Sequence, residues 1–86
     1  MTFNKSDLTI LGKIEQAGAV NKLKSVTVHS IIAKTGLSAT KVRAALALLQ
    51  DAHYIEEGFM QKNAKTYYIT QAGLDFLIEL GCPVNN

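Results

Sequence analysis

Lys41 and Arg43 stand three and five positions after Ser38 in the stretch KTGLSATKVRAALALL, and the side chains around them, Thr40, Ala44 and Ala47, are small. Small side chains let a helix backbone come close to a surface. Flanking cations can then reach phosphate oxygens or guanine edges. Further along, Lys62 and Lys65 place two more cations in a span without Asp or Glu. This is chemistry for holding a polyanion. Alanine's high helix propensity by itself explains Ala44 and Ala47 taken singly. The whole set, with the turn that precedes it, points to DNA.

Reactive chemistry has little to stand on. His29 and His53 are far apart in the chain and lack companions of metal-ligand type at useful spacing. No nucleophile–base pair, carboxylate dyad or phosphate-cradling glycine loop is visible, so neither an enzyme nor a cofactor is expected. Cys82 is the only cysteine, which rules out an internal disulfide and suits a reducing compartment. Tyr54, Tyr67 and Tyr68 fall at strand positions suited to packing.

The charge distribution agrees with a polyanion partner. Across 86 residues the formal net charge is only +2, yet no Asp or Glu occurs from Gln16 to Gln50, a span that holds Lys22, Lys24, Lys34, Lys41 and Arg43. A second acid-free span, Gly58 to Leu74, contains Lys62 and Lys65. Such segregation lets a small domain bind a polyanion without a large net charge. No apolar run is long enough to cross a membrane. The N-terminal MTFNKSDLTI lacks the order of a secretion signal. A cytoplasmic protein with no membrane partner is expected.

The elements that must position these groups read as a single domain over 1–86, mainly α with a small β-hairpin (α+β). A first helix is expected from Ser6 or Asp7 to Ala17, capped by Ser6, with Leu8, Leu11 and Ile14 on one face. Val26 can start a very short strand. Thr27 can cap a second helix from Val28 to about Thr35. Gly36 then supplies a left-handed residue, Leu37 plugs the angle, and Ser38 caps a third helix ending near Asp51. That is helix-turn-helix logic, over about 27–51. Val42, Ala45, Leu46 and Leu49 form the inward stripe of the third helix. Tyr54–Met60 and Lys65–Ile69, joined by QKNA, read as a hairpin spanning about 54–69. Thr70 caps a last helix, about 71–80, that Gly81 ends. The tail CPVNN is expected to fray.

This order resembles a winged helix-turn-helix domain of the MarR/PadR-like bacterial and phage regulator type. The resemblance rests on Thr27, Ile31, Gly36, Leu37 and Ser38, on LALLQDAHYI, and on YITQAGLDFL, and it runs from about Val26 to Leu80. One departure is His53, where such domains usually carry Gly. Histidine enters left-handed conformations more readily than most residues, so the turn is expected to survive. The resemblance implies that Ala39, Thr40, Lys41, Arg43 and Ala44 meet base edges from the third helix, with its cap Ser38 also at the DNA. It implies that Thr27, His29 and Ser30 meet phosphate, and that Gln61, Lys62, Asn63 and Lys65 form a wing on the backbone or in a minor groove.

The last helix is apolar on two sides, which demands two partners. A homodimer is expected through the terminal helices, using Leu8, Leu11, Phe76, Leu77 and Leu80. The function expected is a sequence-specific, double-stranded DNA-binding transcriptional regulator. The alternatives are a winged-helix module that docks a protein partner, and a DNA-binding accessory protein of plasmid partition or phage replication.

Overall fold

The computed structural model describes residues 3–81; the CPVNN tail lies outside them. The first helix, α1 (Lys5–Gln16), begins earlier than the sequence suggests. Asn4 caps it: its Oδ1 accepts from the Asp7 amide at 2.9 Å, and the Asp7 carboxylate accepts from the Asn4 amide at 3.0 Å. This reciprocal pair satisfies two backbone donors at once and outcompetes Ser6, which lies inside the first turn. The register therefore buries Asp7, Ile10, Leu11 and Ile14 at i, i+3, i+4 and i+7, while Leu8 is only half-buried.

After a loop come β1 (Val26–Thr27), α2 (Val28–Thr35) and α3 (Ala39–Asp51). Thr27 Oγ1 accepts from the Ser30 amide and Ser38 Oγ from the Lys41 amide, each at 3.2 Å, so both caps fall where they were expected. Gly36 sits at φ 71°, and its amide donates to Ile32 at 2.8 Å. A side chain in that left-handed region would be strained. The glycine therefore marks where α2 must stop for α3 to cross it.

β2 (Ile55–Glu57) and β3 (Thr66–Ile69) pair antiparallel, with Ile55 opposite Ile69 and Glu57 opposite Tyr67. β1 adds to the other edge of β3, giving the order β1-β3-β2. The strands are shorter than the hairpin read from sequence: the Gly58 amide still donates to Thr66 O at 3.0 Å, but the next amide, that of Phe59, turns to Lys22 O in the 20–25 loop. The last helix is α4 (Gln71–Glu79).

The inward stripes of all four helices and the inner face of the sheet meet in one cluster. Ile10, Leu11 and Ile14 face Ile31, Val42, Leu49, Ile55, Ile69 and Leu77, every one at most 1% exposed. Two expected interface residues are therefore corrected. Leu11 and Leu77 are consumed by this core and cannot reach a second subunit. Phe76 is half-buried within its own chain: its ring stacks on Tyr54 at 4.5 Å, and Phe3 closes on both rings at 5.6 Å. Ile78 and Leu80 remain outside, 55% and 48% exposed.

A knot of hydrogen bonds ties the end of α3 to the start of α4. His53 takes the left-handed turn at φ 63°, as its sequence position implies. Its carbonyl accepts from the Thr70 hydroxyl at 2.7 Å, and Tyr54 O accepts from the Thr70 amide at 3.0 Å. Thr70 Oγ1 in turn accepts from the Gly73 amide at 3.1 Å, capping α4. Gly73 lies so close beneath Tyr54 that a Cβ there would strike the Tyr54 carbonyl oxygen and the Ile69 side chain. A backbone carbonyl cannot swing aside as a side chain can. Gly73→Ala is expected to destabilise the fold by about 1–3 kcal/mol, the usual cost of overpacking. In thermal denaturation that is a fall of roughly 4–8 °C per kcal/mol for a domain of this size.

Candidate nucleic-acid interface

Because α3 buries Val42, Ala45, Leu46 and Leu49, helical periodicity assigns the rest of its surface. Thr40, Ala44, Ala47 and Asp51 fall on the outward face, all exposed. Lys41 and Arg43, two residues and so about 200° apart around the axis, flank this face on opposite sides. The smooth strip read from the sequence is thus present and open. It begins beside the capped N-terminus and ends on an acid, Asp51.

The residues expected to contact DNA lie on connected surfaces, but not as one cluster. Thr27, His29, Arg43 and Lys65 come together around a cleft of about 510 Å³ between α3, the start of α2 and the hairpin. Ser38, Thr40, Lys41 and Ala44 lie outside it on α3 and its cap, and Ala39 is half-buried. Ser30 is half-buried, with its amide held by the Thr27 cap. Gln50 also lines the cleft and was not foreseen. It stands seven residues after Arg43, on the same flank of α3, and that spacing was available in the sequence.

The hairpin tip is built for display. Gln61 and Ala64 exchange both backbone hydrogen bonds, at 3.0 and 2.8 Å. Between them Lys62 and Asn63 take φ values of 48° and 65°, a two-residue turn of the mirror-image kind that suits strand twist. Behind the tip, Lys65 Nζ lies 3.6 Å from Glu57 in an exposed ion pair, a contact worth little in water.

A second surface escaped the sequence reading. In the 20–25 loop Asn21 Oδ1 accepts from the amides of Leu23 and Lys24 at 2.9 and 2.8 Å. The Phe59 amide donates to Lys22 O at 3.1 Å, pinning loop to hairpin. The result is an ordered apolar display, with Leu23 80%, Met60 62% and Phe59 56% exposed. Periodicity could not find it, because none of these residues belongs to a helix or strand.

On β3, Tyr68 donates its hydroxyl to Glu56 at 3.3 Å. Desolvation, followed by the charge and hydrogen bond of that carboxylate, raises the phenol's pKa above its ordinary value. The group is a structural donor at neutral pH. Among the described residues no three His, Cys, Asp or Glu side chains gather as a metal would require, and no helix is long and apolar enough to cross a membrane.

Three helices, a turn at Gly36, a β-hairpin wing and a fourth helix define a winged helix-turn-helix, as the sequence resemblance implied. Comparison with known proteins agrees. The chain is 31% identical over 77 residues to the DNA-binding protein TubR of a Clostridium botulinum C phage, spanning 90% of this chain and 95% of that one. The protein belongs to the TubR family of DNA-binding proteins. TubR from Bacillus megaterium pBM400 superposes with a TM-score of 0.82 at 24% identity, over 92% of this chain and 87% of that one. The homodimeric winged helix-turn-helix domain of Mb0332 from Mycobacterium bovis, a possible ArsR-family regulator, superposes with a TM-score of 0.67 at 23% identity, covering 91% and 65%. No protein-family model matches the chain.

The side chains of Lys41, Arg43 and Lys62 are exposed and, among the described residues, make no hydrogen bond or ion pair; only the backbone amide of Lys41 is engaged, by the Ser38 cap. Replacing any of them with Ala is expected to change the unfolding free energy by less than about 0.5 kcal/mol, as for ordinary surface positions. Urea titration of the three variants checks this.

Proposed function

We propose that this protein binds double-stranded DNA sequence-specifically, with the N-terminal half of α3 in a major groove and the wing along the backbone. The observation that carries the reading is the exposed Thr40–Ala44–Ala47 strip, flanked by cations and continuous with the wing, in a chain of the TubR family. Small side chains allow close approach, Lys41 and Arg43 reach to either side, and Asp51 keeps the C-terminal end of α3 away from phosphate. The relatives from a phage and from pBM400 favour work as a DNA-binding accessory of plasmid partition or phage replication. The same contacts serve transcriptional regulation equally well.

The reading includes a homodimer. Ile78 and Leu80 leave an apolar strip on α4, half-buried Leu8 lies on α1, and a structural neighbour is itself homodimeric. A twofold protein suits a palindromic or repeated DNA site. A protein-docking role draws on a separate observation, the exposed Leu23, Phe59 and Met60.

Fluorescence anisotropy with duplex DNA tests the first claim. The logarithm of affinity is expected to fall linearly with the logarithm of salt concentration, with a slope of about −0.9 for each phosphate engaged. An absence of binding at low salt would remove the DNA reading and leave the docking role. For the dimer, sedimentation of the Ile78→Glu, Leu80→Glu double variant is expected to show a monomer where the parent sediments as a dimer. A parent that stays monomeric at high micromolar concentration contradicts the proposal.

A further inference from the structure

The two acid-free spans of the sequence meet at a surface separate from the cleft beside α3. Leu23, from the first span, and Phe59 and Met60, from the second, are 80%, 56% and 62% exposed. None of them lines that cleft. A single exposed apolar side chain carries no message, but several held together do. These are held by a frame. Lys22 O accepts from the Phe59 amide at 3.1 Å and from the Ser25 hydroxyl at 3.2 Å. Asn21 Oδ1 accepts from the Leu23 and Lys24 amides. Thr66 is fully buried, and its hydroxyl donates to Phe59 O at 2.7 Å. Gly58 has no room for a Cβ against Ser25 and Lys22 O. Every one of these bonds engages backbone at one end. The frame therefore fixes where Leu23 and Phe59 leave the surface while their side chains stay uncovered.

The charge around the patch has one sign. Lys22 and Lys24 flank Leu23, and Lys62 follows shortly after Met60; all three are exposed, and among the described residues none is in an ion pair. Glu57, the acid nearest in sequence to Phe59, is held by Lys65 at 3.6 Å. We infer that this patch is a docking site for an acidic, apolar segment of a partner protein. Apolar side chains of the segment seat among Leu23, Phe59 and Met60, and its carboxylates meet Lys22, Lys24 and Lys62. This gives the docking role a partner chemistry and does not depend on DNA binding. Other occupants fit less well. A second copy meeting the patch through its own would set these lysines against themselves, since a twofold contact is self-complementary. A lipid surface dictates no spacing between apolar groups and gains nothing from a hydrogen-bonded frame. A partner that reads side chains does gain, because little ordering is left to lose on binding. Apolar contact supplies the affinity, and opposite charge supplies selectivity and speed of encounter.

The test selects binders from a random peptide library displayed on phage, with the full chain as bait, and measures the enriched peptides by fluorescence anisotropy. Enriched sequences are expected to combine Leu, Ile or aromatic residues with Asp and Glu, and to bind more weakly as salt rises. The Leu23→Ser, Met60→Ser double variant is expected to weaken them by about tenfold or more, as loss of a central anchor does. Lys22→Glu, Lys24→Glu is expected to shift selection toward basic peptides. Both double variants are expected to melt with the parent, because the substituted side chains stand in solvent. Enriched peptides that are neutral or basic would overturn the partner chemistry, and enriched peptides that bind the Leu23→Ser, Met60→Ser variant as well as the parent would overturn the site. An absence of any enrichment would remove the docking role itself. Three further results in that same variant would give the patch to another occupant and overturn the proposal: lost binding to phosphatidylglycerol vesicles, a changed oligomeric state in sedimentation, or weakened binding to duplex DNA.

Discussion

Burial of one stripe of α3 against α1 is the constraint on which the rest of the molecule depends. Val42, Ala45, Leu46 and Leu49 pack with Ile10, Leu11 and Ile14 in a single cluster. Each of these side chains contributes roughly 1.5–3 kcal/mol when removed from water, less for the alanine. Once that stripe is spent inward, the helix cannot rotate without losing it. The directions of Thr40, Ala44, Lys41 and Arg43 are then fixed by the 3.6-residue period alone. A surface with few large side chains keeps its position because the buried face holds it.

The remaining contacts refine what this packing begins. Gly36 lets α2 end abruptly, and Ser38 starts α3 two residues later. At the other end His53, Tyr54, Thr70 and Gly73 lock the exit of α3 to the entry of α4. The Ile69-Thr70-Gln71-Ala72-Gly73 run gains a physical reason from that knot. Threonine is there to donate to one carbonyl and accept from one amide. Glycine is there because the backbone of Tyr54 leaves no room for a Cβ.

Local rules made most of the fold legible. Capping residues, one left-handed glycine and a helical stripe placed α2, α3 and α4 within a residue, while the first strand of the wing ends three residues before the Met60 read from the sequence. The beginning of α1 was hidden because two residues compete for the cap, and only the reciprocal bonds of Asn4 and Asp7 decide between them. The division of apolar residues between core and surface was hidden for a different reason. Leu11 and Leu77 carry the same chemistry as Ile78 and Leu80, and only the assembled tertiary structure says which pair is enclosed. The cleft that gathers Thr27, His29, Arg43 and Lys65 could not be read from spacing, although each of these residues was named singly. It joins groups from α2, α3 and the wing whose proximity arises from strand pairing. The Leu23, Phe59 and Met60 display likewise depends on a loop that crosses to the hairpin.

Thr27 belongs to two elements at once. It is the last residue of β1, paired with Thr66 of the central strand, and its hydroxyl caps α2. The wing and the leading end of α2 are therefore one mechanical piece, with no hinge between them. A surface built this way meets its target as a rigid die. In the proposed complex with DNA, accommodation then falls to the duplex, and duplexes that bend or narrow at little cost are favoured even at positions no side chain touches.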